Sequence, residues 1–326
     1  MYKGFFGLDR GPFEISPDPR FLYPTARHYE ALANLYYAIR ERKGFAVLTG
    51  EVGTGKTLLV RCLLEKLAKQ RVKYAYVFSP TLTPVELLRY VAADLGLRID
   101  WKDKSDLLLG LSRFLIRQNE EGMTTVLVID EAHLLSKEVL EEARLLNNLE
   151  THRGKLLQIA LVGQPELDEK LDSPGLRQLK QRVAFRCQLQ PLTFEEVQEY
   201  IAWRLKRAGA NGHPPEFPAS ALEAIHDYSR GYPRLINAIC ENALISAYAA
   251  GSRIISASLI AEACRDLRIS AGSTSNGGGA AEVRTINPGA PDVRPGSEEP
   301  PSDLVGNLEA TGHDHESGEP GQEKNP

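Results

Sequence analysis

A glycine-rich run at residues 50–57 has the residue types that bind phosphate groups. It reads Gly-Glu-Val-Gly-Thr-Gly-Lys-Thr, which fits the GxxxxGK[ST] pattern of a P-loop. In such a loop, backbone N–H groups turn toward phosphate oxygens, and the following helix adds the partial positive charge of its N-terminus. The run therefore predicts a site for a nucleoside triphosphate with Mg²⁺.

Two side chains of this loop have specific predicted roles. Lys56 should contact the β- and γ-phosphates, and the hydroxyl of Thr57 should bind Mg²⁺. The other residues that we expect to contact the nucleotide are Gly50, Glu51, Val52, Gly53, Thr54, Gly55 and Leu58.

A second run, Val-Leu-Val-Ile-Asp-Glu at residues 126–131, is an apolar strand that ends in two carboxylates. This is the Walker B arrangement, in which the first carboxylate holds the Mg²⁺ shell. We assign that role to Asp130, together with Thr57. Glu131 should point to the opposite side of the pleat and polarise the attacking water, which predicts ATP hydrolysis. His133 follows closely, and we interpret it as a solvated residue or one that supports the site.

Three further positions have a functional and an ordinary interpretation. Gln164 ends an apolar run, where it contacts the γ-phosphate or the attacking water, or simply forms a turn before Pro165. Arg182 closes a short cationic helix, and it is either an arginine finger for a neighbouring subunit or a solvated charge; Arg177 is the next candidate. Arg234 begins a helix, where its charge opposes the helix dipole, so an anion such as a γ-phosphate should compensate.

The elements that must position these residues alternate between strand and helix. Apolar runs predict strands at residues 45–49, 74–78, 126–129, 157–162 and, more weakly, 186–189. Helical patterns fill the gaps after the P-loop, after Pro84, and around Leu111 and Ala143. Such alternation indicates βαβ units and a buried parallel sheet. Beyond Pro191 only helices are predicted, at residues 193–208, 220–229, 234–249 and 256–268.

These patterns divide the chain into three parts. We predict a nucleotide-binding core with an N-terminal linker at residues 1–191, a helical lid domain at 192–270, and a disordered acidic tail at 271–326. The tail is rich in Gly, Pro, Ser and Glu and cannot bury enough apolar surface to fold. It holds ten acidic and three basic residues, whereas the net charge of the whole chain is only −4. The rest of the chain is therefore mildly basic.

Composition narrows the class of protein. The chain is 42% hydrophobic and 25% charged, which is ordinary for a globular protein. No signal-peptide pattern and no long apolar run occur, so we expect a cytoplasmic chain. The four cysteines form no CxxC pair, and we interpret them as buried reduced thiols.

The motifs together resemble those of AAA+ ATPases, and several strings resemble the ExeA (general secretion pathway protein A) type. The resemblance covers about residues 1–268. The strings that carry it are Tyr2-x-x-Phe5-Phe6-Gly7-Leu8, Pro12-Phe13, Pro17-Asp18-Pro19-x-Phe21-Leu22-Tyr23, Gly44-Phe45, Leu149-Glu150-Thr151, Lys155-Leu-Leu-Gln-Ile, Gly163-Gln-Pro-Glu-Leu and Gly231-Tyr-Pro-Arg-Leu-Ile-Asn.

This resemblance implies an AAA+ sheet with strand order 5-1-4-3-2, a helical lid, ATP hydrolysis and nucleotide-dependent homo-oligomers. It also implies that Gln164, Arg182 and Arg234 are sensor 1, the arginine finger and sensor 2. Relatives serve secretion, pilus or exopolysaccharide export systems at the bacterial inner membrane. Many continue into a transmembrane helix and a peptidoglycan-binding domain, whereas this sequence continues into the acidic tail. We therefore expect membrane work to pass through a protein partner.

Two other functions remain open. A nucleic-acid-associated ATPase of the transposition-helper kind has a similar core, and basic residues would then contact phosphates. The candidates for those contacts are Lys66, Lys69, Arg71 and Lys73, or the cluster from Arg204 to Arg207. A nucleotide-binding scaffold without turnover is the third hypothesis, and Glu131 argues against it.

Overall fold

Five parallel strands form the central sheet of the protein, in a computed structural model that describes residues 1–78, 82–97, 102–152, 154–209 and 214–270. The predicted tail, residues 271–326, lies outside the described residues. In chain order the helices and strands are α1 (Tyr2–Phe5), α2 (Ala26–Arg40), β1 (Phe45–Gly50), α3 (Lys56–Ala68), β2 (Val72–Val77), α4 (Pro84–Asp94), α5 (Lys104–Glu120), β3 (Thr124–Ile129), α6 (Lys137–Leu146), β4 (Glu150–Thr151), β5 (Gly154–Lys155), β6 (Leu157–Gly163), α7 (Glu166–Asp172), α8 (Arg177–Lys180), β7 (Val183–Leu189), α9 (Phe194–Arg207), α10 (Ala219–Ser229), α11 (Pro233–Ala249) and α12 (Ala257–Asp266).

The strand order of the sheet is β2-β3-β6-β1-β7. As numbered, this differs slightly from the predicted 5-1-4-3-2, because the antiparallel pair β4–β5 lies in the chain between β3 and β6. With that small pair set aside, the order along the sheet is the predicted one. The predicted α/β fold with a parallel sheet flanked by helices is confirmed.

The burial of the central strands explains why they could be predicted from apolar runs in the sequence. Every residue of β1 and β6 is buried, as expected for central strands of a parallel sheet that is covered on both faces. Parallel pairing also places the carboxyl ends of β1, β3 and β6 at one edge. The P-loop, Asp130 and Gln164 follow these three ends, so the topology brings the predicted motifs to the same side of the sheet.

Two separate hydrophobic clusters stabilise the chain. The first joins the sheet to α4, α5 and α6. The second joins the helices after β7 to four apolar residues of the N-terminal segment, Phe6, Leu8, Phe13 and Phe21. The N-terminal segment therefore packs with the C-terminal helices, which local sequence patterns did not indicate. The predicted domain boundary at residues 191/192 stays a prediction.

The predicted helices all occur, and their ends follow ordinary capping chemistry. Thr83 and Thr193 each form a capping box with a glutamate three residues later, which satisfies two backbone N–H groups at each helix start. Helices α1, α2 and α7 and the β4–β5 pair were not predicted. The four cysteines are buried, as expected. Among the described helices, none is both long and apolar enough to cross a membrane.

Candidate functional site

The P-loop connects the end of β1 to the first turn of α3. Gly53 and Gly55 have φ angles of +85° and +97°, a left-handed conformation that glycine adopts without strain. At Gly53 a Cβ atom would also lie 2.9 Å from the Cβ of Arg234. Glycine is therefore required there both by the backbone and by the close approach of α11.

Lys56 is buried at the start of α3, with an exposed fraction of 7%. Its ammonium donates hydrogen bonds to the carbonyl oxygens of Gly50, at 2.6 Å, and Glu51, at 3.0 Å. Burial lowers the pKa of Lys56, and the nearby carboxylates of Glu131 and Asp130 oppose that shift. The loop thus holds a desolvated cation beside two acidic groups.

Asp130, the first carboxylate of the Walker B run, contacts the P-loop directly. It is 5% exposed, and its Oδ2 accepts hydrogen bonds from the Thr57 hydroxyl at 3.0 Å and the Tyr76 hydroxyl at 2.7 Å. Tyr76 lies on β2, which pairs directly with β3. Burial and the bond to Asp130 raise the pKa of Tyr76, so the hydroxyl stays a donor at neutral pH. No sequence motif indicated this residue, although its position near the end of a neighbouring strand was a usable signal.

Glu131 lies beside Asp130, but not for the predicted reason. Strand β3 ends at Ile129, and Glu131 has a φ angle of +54°, so pleat alternation does not set its direction. Its own N–H donates to Asp130 Oδ1 at 2.9 Å, which closes a tight turn. The side chain of Glu131 is 44% exposed and faces open space in front of the loop.

His133 connects Glu131 to Gln164. Its Nδ1 lies 3.5 Å from Glu131 Oε2 and 3.4 Å from the backbone nitrogen of Gln164, which donates to it. The side-chain nitrogen of Gln164 lies 2.9 Å from Nε2. The His133 side chain is only 7% exposed, so the interpretation of a solvated histidine is wrong. It is a supporting residue that touches both predicted catalytic side chains.

Arg234 is the second residue of α11, after Pro233. Its backbone N–H donates to the carbonyl oxygen of Gly53 at 3.2 Å, which ties α11 directly to the P-loop. The side chain is exposed. Within the described part of the chain it forms no ion pair, so its charge is available to an anion.

A cavity of about 360 Å³ lies between the P-loop, the N-terminal segment and the C-terminal helices. We call it the P-loop cleft. Its predicted lining residues are Val52, Gly53, Gly55, Lys56, Thr57, Leu58, Glu131 and Arg234, and its unpredicted ones are Glu14, Ile15, Ser16, Pro17, Asp18, Tyr200, Arg204, Pro233 and Asn237. This volume falls in the usual range for a small-molecule site.

Six predicted site residues lie outside this lining, and two of them are Gln164 and Arg182. Gly50, Glu51 and Thr54 belong to the loop, where Thr54 donates to the carbonyl oxygen of Glu51 at 2.8 Å. Asp130 lines a neighbouring cavity together with Tyr76. Thr57 and Glu131 line both cavities, so the two spaces meet at the predicted metal and water positions.

His28 supports the loop from α2 and was not predicted. Its Nδ1 lies 2.7 Å from the hydroxyl of Thr25, the residue that caps α2. The imidazole is 6% exposed, and burial lowers its pKa. A Cβ atom at Gly55 would lie 3.7 Å from His28 Nε2. A neutral histidine therefore packs against the glycine that opens α3.

Arg182 lies at the amino ends of the strands, whereas the P-loop of the same chain lies at their carboxyl ends. It directly precedes β7, whose first residue, Val183, pairs with Phe45 at the start of β1. The P-loop begins five residues further along β1, roughly 17 Å away at about 3.3 Å per residue. The structure therefore does not bring Arg182 to the P-loop cleft of its own chain. The two candidate arginines also differ in burial, since Arg182 is half-buried and Arg177 is exposed.

Arg204 is not available to a nucleic acid, contrary to one of the sequence-based candidates. It is 4% exposed and donates to the carbonyl oxygen of Pro12. Its guanidinium also stacks over Phe21, 4.8 Å from the ring centre. The residue holds the N-terminal segment against α9, so its contribution to a phosphate-binding cluster is excluded.

Comparison with known protein families identifies the class of protein that has this site. The family model described as "AAA domain" matches residues 39–171, which include the P-loop, both Walker B carboxylates and Gln164. Solved structures agree on the fold. The ORC2 protein of Aeropyrum pernix, in its ADPNP–ADP complexes, has a TM-score of 0.61 and 20% identity and covers 79% of this chain and 72% of that one. Drosophila ORC bound to DNA has a TM-score of 0.60 and 22% identity, covering 79% of this chain and 65% of that one. The chain is an AAA+ P-loop protein.

A curated relative makes the assignment more specific. The chain is 46% identical to General secretion pathway protein A of Aeromonas hydrophila over 256 residues, which cover 78% of this chain and 46% of the relative. The chain thus spans about half the length of the curated relative that it matches. The resemblance to ExeA-type AAA+ proteins is confirmed.

Proposed function

We propose that this chain is an ATPase that binds Mg·ATP in the P-loop cleft and hydrolyses it. The observation that carries the proposal is the proximity of Lys56, the Thr57–Asp130 pair and Glu131 where the P-loop cleft meets the neighbouring cavity. A lysine suited to phosphate, two oxygen donors suited to a metal and a carboxylate suited to act as a base thus lie near one another, which supports the proposal. The ADPNP and ADP in the similar ORC2 structure support nucleotide binding in this fold.

In this proposal Lys56 exchanges its present partners for phosphate oxygens. Its two hydrogen bonds are to loop carbonyls, and charge-assisted bonds to phosphate are stronger. The backbone N–H groups around Gly53 and Gly55 and the N-terminus of α3 add donors without net charge. Arg234 supplies a second cation from the lid side.

The Thr57 hydroxyl and the Asp130 carboxylate fit Mg²⁺ because both are oxygen donors and lie 3.0 Å apart, next to the phosphate position. When bound, the metal would neutralise phosphate charge. Tyr76 donates to the same oxygen, Asp130 Oδ2, so the carboxylate keeps a partner when Thr57 turns toward a ligand.

Glu131 is the residue that we propose as the general base. Its carboxylate lines the cleft and can accept a proton from a water molecule held in front of the phosphates. His133 contacts Gln164 and lies 3.5 Å from Glu131, so the imidazole connects the two residues that we propose act on the water and the γ-phosphate. Glu131→Gln should keep ATP bound but slow turnover at saturating ATP by roughly two orders of magnitude or more. Glu65→Gln, an exposed change on α3, serves as the control. Unchanged turnover in Glu131→Gln would reject this assignment.

Hydrolysis is proposed to depend on homo-oligomers. Arg182 is remote from its own cleft, and an arginine finger supplied by a neighbouring subunit would complete the site. Turnover per subunit should then rise with protein concentration. ATP-driven assembly would let the protein remodel a partner.

The proposed pathway is a bacterial secretion, pilus or exopolysaccharide export system, with the chain held at the inner membrane through a protein partner. The name of the Aeromonas relative supports this proposal. Purification of the partner with the Glu131→Gln protein in ATP, and its loss with Lys56→Ala, would test it.

A nucleic-acid-associated ATPase is the second candidate. Lys69, Arg71 and Lys73 are exposed near the start of β2, and Lys66 lies 5.2 Å from the ring centre of Tyr36. A basic surface with an aromatic ring fits a polyanion. Turnover with and without DNA at low salt decides between the candidates, because stimulation that Lys69→Ala and Lys73→Ala remove would favour this one.

A further inference from the structure

A buried chain of hydrogen bonds runs from the N-terminal segment to the P-loop cleft. Arg204 donates to the carbonyl oxygen of Pro12 and to the hydroxyl oxygen of Tyr200, the latter at 3.0 Å. The hydroxyl of Tyr200 donates to Asn237 Oδ1 at 2.8 Å. All three side chains belong to residues that are at most 7% exposed, and all three line the cleft.

The direction of this chain is fixed by chemistry. An arginine side chain has donors only, so the Tyr200 oxygen must accept from Arg204 and its single proton must go to Asn237. Burial raises the pKa of Tyr200, which keeps that proton in place. The amide of Asn237 therefore has its oxygen held at Tyr200 and turns its nitrogen the other way.

The Nδ2 group of Asn237 has no hydrogen-bond partner among the residues that the structure describes. The residue is 7% exposed, and Nδ2 is not among the described side-chain atoms that are both fully buried and unpartnered, so this donor keeps access to the cleft. Because Asn237 lines the cleft, a bound molecule is the natural acceptor.

We infer that Asn237 recognises the nucleoside part of the nucleotide, by donating a hydrogen bond from Nδ2 to an acceptor on its base or sugar. The inference rests on the proposed binding of ATP in this cleft. The phosphate end of the cleft holds two cations, Lys56 and Arg234. Asn237 lies one turn further along α11 than Arg234 and is neutral, so it suits the uncharged part of the ligand. The N-terminal stretch at residues 14–18 closes the same wall.

Nucleotide analogues test this inference without any mutation. Competition against a fluorescent ATP analogue gives the affinity for ATP, for 2′-deoxy-ATP, and for three deaza analogues in which N1, N3 or N7 of adenine is replaced by C–H. The wild-type protein should bind one of these roughly tenfold more weakly than ATP, the scale of one lost hydrogen bond. The identity of that analogue distinguishes a base acceptor from a sugar acceptor.

Variants connect the effect to Asn237. Asn237→Ala should bind ATP and the discriminated analogue with equal affinity, and Tyr200→Phe should reduce the discrimination because it frees the amide to rotate. Asn242→Ala is the matched control: it lies on the same helix, and its amide nitrogen donates to the carbonyl oxygen of Ala238 at 2.8 Å. It should retain full discrimination.

Equal wild-type affinity for all the analogues, or unchanged discrimination in Asn237→Ala, would overturn the inference. Lys56→Ala separates this failure from failure of the proposed function. If Lys56→Ala loses ATP but no analogue is discriminated, only the role of Asn237 is rejected. If Lys56→Ala binds ATP like the wild type, the P-loop proposal itself is rejected.

Discussion

The two sides of the P-loop cleft differ in how far apart in sequence their residues lie. The loop side comes from one run of eight residues and from Asp130 and Glu131, which follow a strand of the same sheet. The opposite side combines the N-terminal segment, α9 and α11, and its Arg204–Pro12 contact joins residues 192 positions apart. The first side carries Lys56, carboxylates and backbone donors, whereas the second adds Arg234 and a hydrogen-bonded chain from Arg204 through Tyr200 to Asn237.

This difference separates what a local motif can specify from what only packing can specify. A glycine-rich loop and an adjacent lysine are sufficient to define a phosphate site, because the backbone supplies most of the donors. Recognition of the rest of a nucleotide depends on side chains that are oriented by partners far away in sequence. We expect changes on the loop side to abolish binding or hydrolysis, and changes in residues that only support it to have smaller effects.

The largest effect is expected from the loop side. Lys56→Ala should abolish ATP binding, because the phosphates lose the buried cation at the centre of the loop. Fluorescent-ATP titration measures this directly. Lys69→Ala, which removes an exposed lysine at the end of the same helix, should bind as the wild type does. Wild-type affinity in Lys56→Ala would mean that the lid side alone holds the nucleotide.

The next largest effect is expected from a residue on neither side. Arg182→Ala should bind ATP normally but lose about 10³-fold or more in turnover, the scale of an arginine finger. Lys180→Ala, an exposed neighbour, should turn over normally. The two measurements are ATP affinity and steady-state rate per subunit.

Mixing two inactive variants shows whether Arg182 acts between subunits. Arg182→Ala has an intact Glu131, and Glu131→Gln has an intact Arg182, so a mixed interface contains one complete site. Activity should therefore reappear on mixing. If sedimentation confirms co-assembly and no activity returns, Arg182 has no role in a neighbouring site, and Arg177 becomes the candidate.

The sequence was informative about the loop side for a physical reason. Strands that are buried on both faces must be continuous apolar runs, so β1, β3 and β6 and the polar residues after them were visible locally. The weaker fifth strand was predicted only from Arg186, whereas β7 begins at Val183, because its residues alternate between exposed and buried. Helix α2 was missed even though Thr25 caps it and its apolar residues have helical spacing.

The rest of the candidate site could not be predicted because no local pattern encodes it. Tyr200 and Arg204 are ordinary helix residues in sequence, and only the packing of Phe6, Phe13 and Phe21 against α9 to α12 makes them line the cleft. The direction of Glu131 was predicted from strand alternation, and a left-handed residue overrides it. His133 was recognisable as part of a motif, but its link to Gln164 depends on the neighbouring ends of β3 and β6.

A smaller effect should follow from breaking that link. His133→Ala should slow turnover by about tenfold, because Gln164 loses its imidazole partner and Glu131 loses the ring that lies beside it. ATP affinity should not change, since His133 does not line the P-loop cleft. His133→Gln, which retains a donor and an acceptor, should recover part of the rate.

His226→Ala is the control for the two His133 variants. His226 is a half-buried histidine on α10, and it is distant in sequence from the P-loop and the Walker B run. The fold of each variant is checked by its melting temperature. A change in ATP affinity together with an unchanged rate at saturating ATP would show that His133 acts on binding and not on the hydrolytic step.

The smallest effect is expected at Tyr76, which touches the loop side from its outer edge. Tyr76→Phe removes one of the two hydrogen bonds to Asp130 Oδ2 and leaves Thr57 as the remaining donor. A hydrogen bond of about 1 kcal/mol corresponds to roughly fivefold in an equilibrium constant. The Mg²⁺ concentration for half-maximal turnover should therefore rise about fivefold, because Asp130 is less well oriented, whereas ATP affinity without Mg²⁺ should stay the same. Tyr74→Phe, two residues earlier on the same strand, should leave the Mg²⁺ requirement unchanged. If Tyr76→Phe instead lowers that requirement, the hydroxyl competes with the metal for Asp130, and its role is to delay metal binding.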